Sequence, residues 1–151
     1  NQFGKMNFDL SIFFQGSNGN DIWNAERVSH EGMESTYNQF TSTLNRWNGE
    51  GSSNTMPRAI YADPNRNNRA STRWVEDGSY LRLKNLTFGY RFTQDWLKKI
   101  GAKSLRLYLS FDNLWTLTNY SGLDPEVGLW GLDYGIYPTS RVYMFGASVK
   151  F

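Results

Sequence analysis

The sequence has no cysteine and a single histidine, His30, among its 151 residues. Without cysteine there is no disulfide framework and no cysteine-based zinc site, although the absence fixes no compartment. His30 lies in a polar stretch without partners, so it is read neither as a metal ligand nor as a catalytic base. No apolar run approaches the roughly 18–20 residues that a membrane helix needs, and no signal peptide is visible. Charge of one sign is also scarce: the net charge is +2, with Lys and Arg scattered, which argues against nucleic acid as a partner. The chain begins at Asn1 without an initiator Met, which leads us to expect a fragment or a processed product.

Aromatic residues, by contrast, are abundant, at 17% of the chain. The mean hydropathy of −0.60 would ordinarily suggest a water-soluble protein. A membrane β-barrel escapes that inference, because only alternate residues of each strand face lipid.

Four segments carry the period-two pattern of strands. In the first, Gly4, Met6, Phe8, Leu10, Ile12 and Phe14 alternate with Lys5, Asn7, Asp9, Ser11 and Gln15. The second sets Leu81 and Leu83, then Leu86, Phe88, Tyr90 and Phe92 on one face, with a phase slip near Asn85 that predicts a bulge or the strand's exit from the membrane. The third aligns Leu105, Leu107, Leu109, Phe111, Trp115 and Leu117, and the fourth Tyr143, Phe145, Ala147, Val149 and Phe151. The strands are expected at about 3–15, 80–93, 104–117 and 139–151.

Their connections run long, short, long: 16–79, 94–103 and 118–138. That is the rhythm of an outer-membrane barrel, whose extracellular loops are long and periplasmic turns short. Within the long loop, Tyr37, Phe40, Leu44 and Trp47 fit one helical face. Residues 95–100, closing at Gly101, predict a short helix with a glycine stop.

Strands of this length suit a tilted bilayer crossing of roughly 9–11 residues better than a soluble sandwich. The fold class is therefore all-β, a transmembrane antiparallel barrel, of which this chain supplies the last four strands. Four strands cannot close on themselves, so they must pair with others of the same barrel. Tyr80, Tyr90, Phe92, Trp96, Trp115, Tyr120, Tyr137 and Tyr143 crowd the strand ends, as an interfacial aromatic girdle would.

Three blocks resemble a known family. They are Trp74-Val75-Glu76-Asp77-Gly78-Ser79-Tyr80-Leu81-Arg82-Leu83-Lys84-Asn85-Leu86-Thr87-Phe88-Gly89-Tyr90, then Asn113-Leu114-Trp115-Thr116-Leu117-Thr118-Asn119-Tyr120-Ser121-Gly122-Leu123-Asp124-Pro125-Glu126, and Asp133-Tyr134-Gly135-Ile136-Tyr137-Pro138-Thr139-Ser140-Arg141. In order and spacing they resemble the C-terminal barrel segment of SusC/RagA-type TonB-dependent transporters of Bacteroidetes-like bacteria. The resemblance implies a plugged barrel of about 22 strands in the bacterial outer membrane. It also implies drive from the TonB complex through a segment outside this chain, and a SusD-type surface lipoprotein as lid. The cargo would be oligosaccharides or peptides. Neither enzyme activity nor a cofactor is implied.

Candidate site residues follow. Tyr143, Phe145, Ala147, Val149 and the final Phe151 resemble the signal read by the barrel-assembly machinery. Trp130, Tyr134 and Tyr137, beside Asp124, Glu126 and Asp133, are candidates for contact with substrate or lid, since aromatic faces and carboxylates suit sugar rings and hydroxyls. Lys5, Asp9, Arg91, Arg106, Asp112 and Lys150 face the expected lumen, either pairing with the plug or standing solvated. Glu76-Asp77 and Asp124-Pro125-Glu126 are read as turns rather than glycosidase pairs, and no EF-hand spacing is present. Two rival functions are a secreted, soluble β-rich glycan-binding module and a passive porin or adhesin barrel.

Overall fold

A computed structural model describes residues 7–93 and 95–151. In chain order the elements are β1 (Phe8–Ser17), β2 (Asp21–Asn24), α1 (Ala25–Glu31), β3 (Val75–Asp77), β4 (Tyr80–Phe92), α2 (Asp95–Lys99), β5 (Ser104–Thr118), β6 (Leu132–Asp133) and β7 (Val142–Lys150). They form two compact units. Among the described residues one comprises 7–18, 80–93, 95–118 and 139–151; the other comprises 19–79 and 119–138.

The first unit is an antiparallel sheet of order β1-β4-β5-β7. Ser17, Tyr80 and Thr118 form one end row, from which both long connections depart. Phe92, Leu105 and Val149 form the row at the other end, where β4 and β5 are joined by the short link. In that link Leu97 and Ala102 are buried, and Gly101 ends α2 in a left-handed conformation (φ 75°) that a side chain would strain.

Alternation sends the two faces of this sheet to opposite fates. Phe8, Leu10, Ile12 and Phe14 of β1 line up with the leucines and aromatics of β4, with Leu105, Leu107, Leu109 and Phe111 of β5, and with Tyr143, Phe145, Ala147 and Val149 of β7. This apolar face is uncovered: Leu109 is 44% exposed and Phe145 71%. The opposite face carries Asp9, Arg82, Asn85, Thr87, Arg106, Ser110 and Asp112, and its centre is the tighter one, with Arg82 only 3% exposed. A water-soluble sheet would have the reverse arrangement, because burying apolar area is what stabilises it.

The phase slip expected near Asn85 is a bulge. Lys84 is skipped on β4, while Asn113 and Leu114 are the extra residues of β5, between the pairs Leu83–Trp115 and Asn85–Asp112. β1 shows its own shift there, between Phe13 and Phe14. Asn113 adopts φ 51° and donates from Nδ2 to the Ser140 carbonyl at 3.0 Å. Asn tolerates this region and Val does not. Asn113→Val is expected to destabilise the sheet by about 1–3 kcal/mol, and Asn113→Gly by less. The temperature at which the folded barrel loses its altered electrophoretic mobility measures both.

The second unit gives the long 16–79 connection internal structure. Its strands form a small sheet of order β3-β2-β6, with β2 antiparallel to β3 and parallel to β6. The helix lies at α1, not along Tyr37–Phe40–Leu44–Trp47. That stretch holds only a 3-10 turn at Thr41–Asn45, and Tyr37 and Leu44 are exposed. Asn24 supplies the reason for the helix start: its side-chain oxygen accepts the N–H of Arg27 at 3.0 Å, an N-cap. The unit's core is Ile22, Ala25, Met33, Trp74 and Tyr120, supplemented by buried polar groups.

Candidate functional site

On the polar face of the four-stranded sheet, polar side chains satisfy one another. Asp9 of β1 reaches over β4 to Arg106 of β5, whose Nε donates to Oδ1 at 2.9 Å and whose Nη2 donates to Oδ2 at 2.5 Å. The ion pair crosses above Gly89, where a Cβ would lie 2.6 Å from the Asp9 carboxylate, so a side chain there would oblige the pair to shift. Arg82 donates to Thr116 Oγ1 at 2.9 Å and to Thr139 Oγ1 at 2.8 Å. Asn85 donates to Asp112 at 2.7 Å and to Ser110 at 3.2 Å.

Of the expected lumen residues, Asp9, Arg91, Arg106, Asp112 and Lys150 all lie on this face by register, and Lys5 falls outside the described residues. Asp9 and Arg106 are brought together. Tyr80 also belongs here rather than to an interfacial girdle, since Gln15 Nε2 donates to its hydroxyl at 3.3 Å. At the short-link end of the apolar face, Phe8, Tyr90 and Phe92 make an aromatic cluster with centroids 4.5–4.6 Å apart. Tyr143, Phe145, Ala147 and Val149 lie on the apolar face, and Phe151 follows β7 as an exposed ring.

The second unit is organised around Glu76, which sequence reasoning placed in a turn and which sits in β3. Its Oε1 accepts from Asn24 Nδ2 at 3.0 Å, Arg27 Nη1 at 3.0 Å and Ser121 Oγ at 2.9 Å, and its Oε2 accepts the Ser121 N–H at 3.0 Å. Arg27 also donates to Glu31, at 2.9 Å from Nη2, and Ser42 donates to the other oxygen of Glu31 at 2.7 Å. Burial of Glu76 raises its carboxyl, but the hydrogen bonds from Ser121 and Arg27 outweigh it, and the result lies below the usual glutamate range. Its neighbour Asp77 turns away to accept the Ser79 N–H, so the two carboxylates do not act as a pair.

Tyr120 donates to Asp133 Oδ2 at 2.6 Å, and Asp133 Oδ1 accepts the N–H groups of Gly135 and Ile136. Burial and the adjoining carboxylate push the Tyr120 phenol well above its ordinary value, so it remains a donor. Tyr120 is thus a core residue, not a girdle residue. Asp133 shapes the turn that carries Tyr134 and Tyr137. His30, at the end of α1, stacks on Phe40 at 4.8 Å, with Nδ1 2.9 Å from the Glu26 carbonyl. A cavity of 390 Å³ lies beside this framework, walled by Phe40 and Leu123 and floored by Asn24, Arg27, Glu31 and Asp133.

The candidate contact residues divide by burial. Asp124 is buried and accepts the Glu126 N–H at 2.9 Å. Trp130 is 88% exposed, and Tyr134 and Tyr137 are nearly as open. Sequence reasoning missed Asn24, Arg27, Glu31 and Ser121. A cap residue directly before α1 was a readable signal for Asn24; the others have none within their own segment.

No family model matches the chain. It is 37% identical over its whole length to TonB-dependent receptor P3 of Formosa agariphila, of which the match covers 16%. It is 29% identical to the TonB-dependent receptor SusC of Bacteroides thetaiotaomicron, over 96% of this chain and 14% of that one. A solved structure of the RagAB peptide transporter superposes on 96% of the chain with a TM-score of 0.82 and 28% identity, again over 16% of the other chain. The chain therefore spans about one sixth of the length of the relatives it matches. Over that span it is similar to TonB-dependent receptors of the SusC/RagA type, and its antiparallel sheet, apolar on one face and polar on the other, fits a part of such a β-barrel.

Proposed function

We propose that this segment is four adjoining wall strands and two surface loops of an importer in the bacterial outer membrane. The importer takes up oligosaccharides or peptides. Energy comes from the TonB complex through a plug elsewhere in the protein, and a SusD-type surface lipoprotein closes over the cargo. One observation carries the reading: an uncovered apolar face backs a hydrogen-bonded polar face, an arrangement suited to lipid outside and water inside. It speaks against a secreted soluble module, which would have to hide that apolar face. The relatives support active import over a passive porin, since they are TonB-dependent receptors and a peptide transporter.

Both long connections leave the sheet from one end, which supports placing them together outside the cell and the short link in the periplasm. The exposed Trp130, Tyr134 and Tyr137 then offer rings to cargo or lid. Replacing all three by alanine in the full receptor is expected to lower uptake about tenfold, at a few tenths to 1.5 kcal/mol per ring, with barrel levels unchanged. Uptake of labelled oligosaccharides and peptides by cells carrying the receptor, with and without TonB, is the test. Uptake that persists without TonB would mean a passive pore, and recovery of the receptor in the soluble fraction would overturn the membrane assignment.

A further inference from the structure

A second concavity of the second unit, 610 Å³ in volume, is built from residues 47–73. Arg58, Arg69 and Arg73 line it, and no acidic residue does. Among the described residues none of these three arginines makes an ion pair. The guanidinium of Arg73 is held 4.8 Å above the ring of the buried Trp74. Trp74 in turn donates from Nε1 to the Arg69 carbonyl at 3.2 Å, while Arg69 Nη1 donates to the Arg66 carbonyl at 3.0 Å. Two of the cations are therefore set in place before any ligand arrives, which lowers the cost of ordering them on binding. The one carboxylate within the 58–73 stretch, Asp63, accepts the Asn68 N–H at 2.7 Å and shapes the loop.

The remaining wall has a different chemistry. Trp47 lines it, anchored by its backbone N–H on the Met56 carbonyl at 3.1 Å. Asn65 and Asn67 add amides that both donate and accept. Arginines match carboxylate or sulfate in bidentate fashion, an aromatic plane matches the C–H face of a pyranose, and amides match hydroxyls. The volume falls within the roughly 300–1,000 Å³ of small-ligand sites.

We propose that this groove is a binding site for acidic sugars, taking the carboxylate or sulfate of a charged oligosaccharide on Arg58, Arg69 and Arg73 while Trp47 stacks on its ring. This rests on the importer reading and narrows its cargo from oligosaccharides in general to anionic ones.

The test is calorimetric titration of the full-length receptor in detergent with trigalacturonate, its neutral methyl ester, and a sulfated galactose trisaccharide. At least one charged probe is expected to bind tenfold or more tightly than the neutral ester, with affinity falling as salt rises. Arg58→Gln/Arg69→Gln, two exposed positions, should remove that tenfold advantage without shifting the unfolding temperature, and Trp47→Ala should weaken the charged and the neutral sugar alike. Equal binding of charged and neutral sugars, no binding of any probe, or unchanged affinity in the double variant would overturn the proposal. So would a double variant that keeps sugar affinity but loses a copurifying lipoprotein, which assigns the arginines to a protein partner. TonB-dependent uptake of neutral cargo alongside any of these failures would leave the importer reading standing; loss of uptake of every cargo would bring that down instead.

Discussion

Phe145→Arg is expected to prevent stable assembly of the barrel, while Met144→Arg, one residue earlier, is expected to be tolerated. Both side chains are exposed in the isolated segment, so burial alone does not separate them. Parity does. Phe145 pairs with Leu109 on the apolar face, near mid-strand, and Met144 pairs with Ser110 on the polar face. An arginine facing lipid near the midplane costs about 2–4 kcal/mol, roughly 1.5–3 orders of magnitude in the folding equilibrium. An arginine facing the wet wall keeps its hydration. The readout is folded receptor in washed outer membranes, scored by the mobility difference between heated and unheated samples. Equal loss for both variants, or none for either, would count against lipid on one face and water on the other.

The second large effect is in the other unit. Glu76→Ala removes one carboxylate that collects four donors from three segments, and leaves Arg27 with Glu31 alone. Breaking a buried pair costs about 3–5 kcal/mol; since Arg27 is partly exposed, about 2–3 kcal/mol is expected here. Hydrogen exchange should show residues 19–79 and 119–138 losing protection while β4 and β5 keep theirs. Glu76→Leu combined with Arg27→Met should be milder than Glu76→Ala, because it leaves no unpaired charge.

The same carboxylate sets a pH dependence. Its folded value lies below the ordinary one, so its contribution is complete above the usual glutamate range, near 4.5, and is lost as pH falls through the depressed folded value. Protection of this unit should therefore drop in acid. In Glu76→Gln that part of the acid sensitivity should be absent. An unchanged acid profile in the variant would place the sensitivity elsewhere, for example at Asp77, whose carboxyl is lowered by the hydroxyl and N–H of Ser79.

What could be read directly from the chain was whatever repeats locally. Alternation exposed the four long strands, and the slip at Asn85 marked the bulge, because a single extra residue reverses facing. The end of α2 was legible from Gly101. The second unit was not, since its sheet has strands of two to four residues and its stability lies in contacts between distant positions. Asn24 and Ser121 meet across 97 residues, and Arg27 and Glu76 across 49. No window of sequence holds such a pair. The apolar side chains at Tyr37, Phe40, Leu44 and Trp47 mimicked a helical face, yet the segment has no cap at that start and only one short turn forms. Tyr120 and Asp133 illustrate the same limit: both were read as surface groups, and they bond to each other inside the unit.

In the proposed barrel wall, consecutive residues of one strand face lipid and water in turn. Spin labels attached to single cysteines at each position from 105 to 111, in the full receptor in bilayers, test it directly. Collisions with oxygen, which concentrates in lipid, should peak at 105, 107, 109 and 111. Collisions with a water-soluble nickel complex should peak at 106, 108 and 110. Accessibility to the nickel complex at every position, with no period of two, would mean that this strand does not separate lipid from water.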